Sequence, residues 1–242
     1  MGSKALAAIF ACTIIVALGF IGNMVQANSI ADAFRTAFGI PVWLTGIVIF
    51  MLAGFIFIGG IRRIASFAEK MVPIMAFIYI IGSVTIIVGH GDMFWTALKS
   101  IFVGAFDPVA ATGGVIGAGI KEAIRYGVAR GLFSNEAGMG STPHAHAVAE
   151  VRHPGEQGLA ALVGLFFDTF VVLNLTAFVI LTTGVLDGQT TGITLTQQAF
   201  TVGLGSIGNG FVAICLLFFA FTTIIGWYFF AEQNVKYLFG AR

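Results

Sequence analysis

Long apolar segments separated by short polar stretches run through this chain of 242 residues. Each segment is close to or above the roughly 17–25 residues that an α-helix needs to cross the hydrocarbon core of a bilayer. The pattern predicts membrane-spanning helices over residues 4–38, 40–63, 67–89, 157–186 and 203–237. The first of them is expected to stay helical beyond its apolar run, because apolar residues recur at a helical period as far as Phe38.

A sixth membrane element is predicted over residues 115–151, and it is broken in its middle. Its amphipathic first half runs to Phe133, a stretch rich in glycine and polar residues follows, and a short second half covers 142–151. Irregular polar backbone at membrane depth persists only where it lines a cavity or is buried in protein. Secondary transporters use such a discontinuous helix to hold a substrate and its coupling ion. Residues 92–106 are predicted to form an amphipathic helix at the membrane interface.

The composition indicates a membrane protein rather than a soluble domain. Charged residues make up 10% of the chain, whereas soluble domains carry about 25%. The sequence therefore predicts an all-α, polytopic membrane helix bundle that forms a single transmembrane domain over residues 1–242, with the lipid bilayer as its surroundings. A net charge of +1 offers no basic face to a nucleic acid, and Cys12 and Cys215 are interpreted as packing thiols within apolar runs.

The positive charges predict how the helices are oriented. Basic residues are enriched on the cytoplasmic side of multi-pass proteins. With the N-terminus in the cytoplasm, only Arg35 and Lys99 fall outside, and the cytoplasmic side receives Lys4, Arg62, Arg63, Lys70, Arg152, Lys236 and Arg242. The expected location is the cell membrane, crossed several times.

Several runs of residues resemble the sodium:alanine (or glycine) symporter family. They are Arg125–Ser141, Val25–Ser29, Ile58–Ile64, and His153–Gly158 leading to Asp168 and Thr169. The resemblance implies a leucine-transporter-like fold with ten core helices, of which this chain looks like the third to the eighth. It implies sodium-coupled symport of alanine or glycine into the cell by alternating access, with Na⁺ as the coupling ion, no cofactor and no enzymatic activity. The missing N- and C-terminal helices of the same transporter would be its partners.

The same resemblance implies site residues. The substrate would bind at the glycine turn of the break, where Phe133 closes over it, and the residues concerned are Phe133, Ser134, Gly138 and Met139. Gln26 joins them because an amide is both donor and acceptor and suits a zwitterion. Sodium would bind to Phe219, Thr222, Thr223 and Ser134, and Asp168 joins these sodium ligands as a carboxylate at membrane depth. The alternative for the two threonines is a hydrogen bond to their own helix backbone.

Glu136 and Asp168 are ionisable groups at membrane depth, where a carboxylate usually faces a cavity or a partner. Glu136 would pair with Arg130 or cap the second half-helix, and Asp168 would complete a cation site or bind Thr169 and Asn174. A purely structural carboxylate remains an alternative for both. Either one could also carry a proton, so a proton-coupled amino-acid transporter is the rival function.

Three other functions are considered: a transition-metal site, an intramembrane hydrolase and a passive channel. His144 and His146 are not predicted to bind a transition metal, because residues two apart on a helix point in different directions. An intramembrane hydrolase is disfavoured because the break does not fit a nucleophile elbow, and a passive channel is the third class. Asn28 is expected to form an interhelical hydrogen bond.

Overall fold

The computed structural model describes residues 3–106, 118–136 and 138–240, and the regular elements in these ranges are all helices. The all-α class is therefore confirmed for the described part of the chain. Four helical stretches are long and apolar enough to cross a membrane: Lys4–Phe38, Gly60–Gly89, Pro154–Thr183 and Gly192–Phe239. A shorter apolar helix covers Val42–Phe57. These features fit a multi-pass helical membrane protein.

The described residues divide into two compact units, unit 1 (3–82 and 186–240) and unit 2 (83–106, 118–136 and 138–185). In chain order the helices are α1 (Lys4–Ile14), α2 (Asn23–Phe38), α3 (Val42–Phe57), α4 (Gly60–Gly89), α5 (Gly91–Phe106), α6 (Ala118–Ser134), α7 (Pro143–His146), α8 (Pro154–Phe166), α9 (Asn174–Thr183), α10 (Gly192–Leu204) and α11 (Gly208–Phe239). A π-helical stretch, π1 (Ile15–Gly22), joins α1 to α2, and a second, π2 (Phe167–Leu173), joins α8 to α9. That the two units form one transmembrane domain stays a prediction.

The first helical stretch of unit 1 is continuous from α1 through π1 to the end of α2. Gly39 ends it with a left-handed backbone, φ 68°, and its N–H donates to the Arg35 carbonyl at 2.9 Å. Glycine adopts this conformation without the steric cost that a Cβ brings. The helix continues without interruption through Gln26 and Asn28. The irregularity is the π-helical turn that precedes them.

The second predicted span, 40–63, is interrupted before its end. Helix α3 stops at Phe57, and Gly60, with φ 63°, begins α4. Arg63 stabilises this corner, because its Nη1 donates to the Phe55 carbonyl at 2.7 Å and its guanidinium lies 4.7 Å from the centre of the Phe55 ring. A basic side chain thus binds a carbonyl in the last turn of α3. As a result, α4 begins ahead of its predicted start.

Small residues bring the first helical stretch into close contact with α11. A Cβ built on Gly22 would lie 2.5 Å from the Trp227 ring, and one on Gly19 would lie 2.8 Å from the Ala231 Cβ. Backbones can approach this closely only where a side chain is absent, as is common between membrane helices. The π1 stretch is therefore fixed against α11 along its glycine side.

Helix α10 was not predicted, and the predicted span 203–237 is corrected to α11, which begins at Gly208. The buried amide of Gln197 explains how a polar helix joins this unit. Its Nε2 donates to the Ala33 carbonyl at 3.1 Å and to the Asn209 carbonyl at 3.3 Å. One side chain therefore links α10 to both α2 and α11.

Helix α5 of unit 2 confirms the predicted helix at 92–106. The Phe94 ring stacks on Phe178 of α9, with ring centres 5.1 Å apart and planes inclined by 25°. The Trp95 side chain on the same helix is 72% exposed. Its position at the membrane interface stays a prediction.

The broken segment of unit 2 differs from the prediction in its second half. A half-helix was expected over 142–151, but α7 is a single turn, and residues 115–117 of the predicted span lie outside the described residues. The next helix begins at Pro154, where the His153 Nδ1 accepts a hydrogen bond from the Gly155 N–H at 3.0 Å. Proline at the first position and a side-chain cap define the N-terminus of α8.

Candidate functional site

The chain leaves α6 through a turn in which Glu136 has a left-handed backbone conformation, with φ 49°. Such a conformation costs a non-glycine residue about 1–2 kcal/mol. The Glu136 carboxylate accepts hydrogen bonds from Ser141 Oγ at 2.7 Å and from Thr142 Oγ1 at 3.1 Å. Ser141 is fully buried, and Thr142 is the residue before α7. The carboxylate therefore reaches the start of the helix that it was expected to cap, through the side chains of Ser141 and Thr142.

The glycines of the turn allow a backbone conformation with positive φ. Gly138 and Gly140 have φ values of 74° and 75°. A Cβ on Gly138 would meet no atom within 4 Å, so space does not require glycine there, whereas the positive φ does. The half-buried Met139 donates its N–H to the Glu136 carbonyl at 3.3 Å. Phe133, in the last turn of α6, exposes 47% of its surface and can contact a bound molecule.

Two of the residues predicted to bind sodium lie side by side in unit 2. Ser134, the last residue of α6, donates its hydroxyl to the Asp168 Oδ2 at 2.9 Å. Asp168 is half-buried in π2, and Ser134 is exposed. A hydroxyl and a carboxylate at this distance are both oxygen ligands of the kind that hard cations take. The structure therefore brings together two of the four side chains with oxygen atoms that were predicted to bind sodium.

The neighbouring residues form a second bridge. Thr169 Oγ1 donates to the Asn135 Oδ1 at 2.8 Å. The expectation that Asp168 binds Thr169 and Asn174 is wrong, because the Thr169 hydroxyl is directed to Asn135. The Asn174 Nδ2 donates instead to the Thr169 carbonyl at 2.8 Å. The bridge between Thr169 and Asn135 was not predicted.

The other three predicted sodium ligands lie together on α11 in unit 1. The Phe219 carbonyl accepts hydrogen bonds from Thr222 Oγ1 at 2.9 Å and from Thr223 Oγ1 at 3.0 Å. Thr222 also donates to the Phe218 carbonyl at 2.9 Å. The predicted convergence of these oxygens is present, and so is the alternative, since both hydroxyls bind their own backbone. Each hydroxyl oxygen keeps its lone pairs for a cation while its proton is donated.

Gln26 lies half-buried on α2 in unit 1. Nearby, the Asn23 Nδ2 donates to the Gly19 carbonyl at 3.3 Å, and its Oδ1 is buried with no hydrogen-bond partner among the described residues. The Asn28 amide donates to the Asp32 Oδ2 at 3.4 Å on the same helix. The expected interhelical bond of Asn28 is therefore wrong.

The histidines serve the local fold of unit 2. His144 Nδ1 lies 2.8 Å from the Ser141 carbonyl, and His146 Nδ1 lies 2.7 Å from the Gln157 Nε2. His146 and Gln157 also line a cavity of about 700 Å³ beside α7 and α8. Within the described ranges, no three His, Cys, Asp or Glu side chains lie together as metal ligands would.

The predicted site residues are divided between the units. Unit 2 contains the turn and the Ser134–Asp168 pair, and unit 1 contains Gln26 and the threonines of α11. Sequence reasoning missed the turn hydroxyls of Ser141 and Thr142, whose spacing from a glutamate is not a recognisable motif.

Comparison with known proteins relates the whole chain to one family. A family model described as "Sodium:alanine symporter family" matches residues 1–242. An "Uncharacterized transporter" of Haemophilus influenzae is 43% identical, and the match covers 100% of this chain and 54% of that protein. The "Sodium/proton-dependent alanine carrier protein" of Bacillus sp. is 39% identical, over 93% of this chain and 53% of the relative. The "Sodium/alanine symporter AgcS" of Methanococcus maripaludis is 40% identical, over 92% of this chain and 49% of that protein. The chain thus spans about half the length of these relatives.

Proposed function

Because the chain belongs to the sodium:alanine symporter family, we propose that it is part of a sodium-coupled symporter that carries alanine or glycine into the cell. The observation that carries the proposal is the Ser134–Asp168 pair at a helix break, 2.9 Å apart. A carboxylate placed in a membrane helix is costly, and such residues mark substrate and ion pathways. The names of the relatives, a sodium/alanine symporter and a sodium/proton-dependent alanine carrier, support the substrate.

The proposed architecture follows the leucine-transporter-type fold. This sequence would correspond to its third to eighth core helices, and helices before and after them would complete the transporter. The coverage of about half of each relative supports this assignment. The N-terminal end of the first helix would face the cytoplasm of a cell membrane, as the distribution of basic residues indicates.

The substrate would bind at the turn after α6. Free backbone groups in a discontinuous helix suit the ammonium and carboxylate of a small zwitterion. Gly138 and Met139 would contribute backbone, Ser134 a hydroxyl, and Phe133 an aromatic lid. Gln26 of unit 1 is a proposed substrate ligand on the chemistry of its amide alone. The positive φ of Gly138 and the half-exposed Phe133 ring agree with these roles.

The proposed sodium ligands are oxygen atoms of five residues, two of them in unit 2 and three in unit 1. Ser134 and Asp168 would provide a hydroxyl and a carboxylate, and Thr222 and Thr223 would provide hydroxyls beside the Phe219 carbonyl. A cation at the threonines would recruit oxygens that already converge within 3.0 Å of this carbonyl. Binding needs only lone pairs that the present hydrogen bonds leave open.

The transport cycle would proceed by alternating access. Sodium bound at Thr222 and Thr223 would favour an outward-open state, substrate would then close Phe133 over itself, and both would leave inside. One charge moving down 100 mV gains about 2.3 kcal/mol. Since a tenfold concentration ratio costs about 1.4 kcal/mol, one sodium ion suffices to accumulate a neutral zwitterion more than tenfold.

Proton coupling is a second candidate, favoured by the name of one relative and by two carboxylates at depth. Glu136 binds two hydroxyls, and Asp168 binds one. Protonation would remove the charge that orders these bonds, and it could therefore be linked to closing of the turn. A proton gradient that drives uptake without sodium would favour this candidate.

The test is radiolabelled alanine uptake by the full-length protein in proteoliposomes, with and without an inward sodium gradient. Thr223→Ala is compared with Thr13→Ala, whose hydroxyl also binds its own helix backbone but which has no proposed role. The proposal expects concentrative, sodium-driven uptake that Thr223→Ala loses and Thr13→Ala keeps. Uptake that only equilibrates alanine would favour a channel. Uptake indifferent to sodium in every variant would refute sodium coupling.

A further inference from the structure

We propose that Asn135 and Thr169 are positioning residues that hold Ser134 and Asp168 together as ion-binding groups, an inference that rests on the proposed function. Two consecutive residues at the end of α6 meet two consecutive residues of π2. Ser134 Oγ donates to Asp168 at 2.9 Å, and Thr169 Oγ1 donates to Asn135 at 2.8 Å. Both bridges join residues 34 positions apart in sequence. The second one therefore fixes the relative position of the backbones that carry the first.

The two bridges differ in exposure. Ser134 is exposed, whereas Asn135 and Thr169 are both half-buried. An exposed bond between a hydroxyl and a carboxylate can be exchanged for a cation, because both oxygens remain reachable. The more sheltered bond between two neutral groups has no such competitor. The Thr169–Asn135 bridge would thus persist while ions bind to and leave the Ser134–Asp168 pair.

Helix geometry explains why a second bridge is needed. The α-helical segment ends at Ser134, so backbone hydrogen bonds no longer fix the direction of the chain beyond it. On a regular α-helix, consecutive residues do not face a common neighbour. Asp168 and Thr169 both reach the end of α6 from a π-helical turn, a feature that occurs frequently at functional sites.

A second amide, that of Asn174, stabilises the π-helical turn. The Asn174 Nδ2 donates to the Thr169 carbonyl at 2.8 Å and to the Phe170 carbonyl at 3.4 Å. Side-chain donors satisfy backbone acceptors in a helix whose ordinary hydrogen-bond pattern is interrupted. Thr169 is therefore held by two hydrogen bonds. Its side-chain hydroxyl binds Asn135, and its backbone carbonyl binds Asn174.

The surroundings of the bridge are apolar. Asn135 and Thr169 provide the polar wall of a cavity of about 390 Å³, which is otherwise lined by Leu162, Leu165, Phe166 and Phe170. These four side chains offer no replacement donor or acceptor. Loss of the Thr169 hydroxyl would therefore leave Asn135 Oδ1 without this partner and free the end of α6 to move away from Asp168.

The experiment measures the sodium concentration that half-saturates alanine uptake by the full-length protein. Thr169→Val removes the hydroxyl at nearly constant shape, and Thr169→Ser keeps it. Thr183→Val is the matched control, because that hydroxyl binds only carbonyls of its own helix. We expect Thr169→Val to raise the half-saturating concentration about five- to tenfold, as loss of one hydrogen bond permits. Thr169→Ser should restore it, and Thr183→Val should leave it unchanged.

Two results would overturn the inference. One is an unchanged sodium requirement in Thr169→Val, and the other is an equal defect in Thr169→Ser and Thr169→Val. If Thr169→Val does not fold, Asn135→Ala and Asn135→Asp replace it, since the aspartate keeps an acceptor for Thr169 and the alanine does not. Only Asn135→Ala should then raise the sodium requirement, and an equal effect of both would count against the pair.

Failure of the proposed function can be distinguished from failure of the pair. If wild-type uptake does not depend on sodium, the proposed function fails, whatever the variants do. Hydrogen–deuterium exchange of residues 134–136 then tests the bridge itself. Faster exchange in Thr169→Val than in Thr183→Val supports a clamp at the end of α6, and equal exchange overturns it.

Discussion

Gly22 lies against the indole ring of Trp227 so closely that a Cβ at this position would come within 2.5 Å of the ring. The contact joins π1 to α11, the helix that carries Thr222 and Thr223. A side chain at Gly22 would have to displace Trp227, which is buried. The glycine therefore fixes the separation of two helices within unit 1.

We predict that Gly22→Ala destabilises the protein by about 1–3 kcal/mol, because overpacking forces backbone or side chains to shift. Gly46→Ala is the control, since a Cβ there meets no atom within 4 Å. Thermal unfolding of the detergent-solubilised full-length protein compares the two. A midpoint for Gly22→Ala equal to that of Gly46→Ala would contradict the close packing of π1 and α11.

At Gly138, in the turn after α6, a substitution is expected to act through the backbone conformation and not through lack of space. Gly138→Ala should reduce stability by about 1–2 kcal/mol, because a left-handed backbone with a Cβ is unfavourable. Gly131→Ala in α6, which also has open space around its Cβ, should be neutral or slightly stabilising because alanine favours a helix. Thermal unfolding and alanine uptake are measured for both. Equal stability of the two variants would rule out a required positive φ at Gly138.

The ion-binding roles proposed for Ser134 and Asp168 can be tested by a double-mutant cycle. Asp168→Asn should raise the half-saturating sodium concentration about tenfold or more, because a full charge is lost from the site. Ser134→Ala should have a smaller effect. Since the two side chains are hydrogen-bonded, the double variant should show less than the sum of both effects. Strict additivity in sodium-dependent uptake would indicate that they act separately.

Glu136 distinguishes the two coupling ions. Glu136→Gln preserves shape but replaces charge-assisted hydrogen bonds to Ser141 and Thr142 with weaker neutral ones. If sodium alone drives transport, the variant should lose rate yet keep its dependence on the sodium gradient. If a proton is carried on Glu136, uptake driven by a pH gradient should disappear in the variant. The measurement is uptake under separate sodium and proton gradients.

Asp187 lies outside the membrane-spanning helices, and its pKa provides a testable prediction. Hydrogen bonds from the backbone N–H groups of Thr190 and Gln189, and from the Thr190 hydroxyl, lower the pKa of this carboxyl. Because the pKa is lowered in the folded state, the stabilisation is present above the unfolded pKa and is lost as pH falls through the folded pKa. Carbon-13 NMR titration of the carboxyl should therefore give a value below the ordinary 3.8, and Thr190→Val should move it back upward. An ordinary pKa in the wild type would contradict the turn geometry.

Local chemistry explains which features could be predicted from the sequence. The break after Phe133 was predictable because glycine and proline act on the backbone wherever they occur. The sodium-binding role proposed for Ser134 followed from the resemblance, and that of Asp168 from the cost of a carboxylate at membrane depth. The partners of Thr169 and Asn135 could not be predicted, because a hydrogen bond between residues 34 positions apart depends on how two helices meet.

The same reasoning explains the errors at helix ends. The end of α3 at Phe57 was missed because apolar residues continue on both sides of it, and Arg63 acts through a contact that the hydropathy pattern does not contain. Helix α10 was missed because Gln197 and its neighbours look like a polar loop until their buried partners are known. Hydropathy thus predicts which segments are apolar more reliably than where each helix begins.

The π-helical turn between α8 and α9 also holds one residue more than a regular α-helix would need at this point. A π-type hydrogen bond spans one residue more than an α-type bond. Deleting one residue from π2 would therefore let the turn close as a regular α-helix, with α8 and α9 keeping nearly the same faces. Phe178 would stay against Phe94, whereas Asp168 and Thr169 would no longer both reach the end of α6. The extra residue thus serves the contacts of this turn rather than the length of the span.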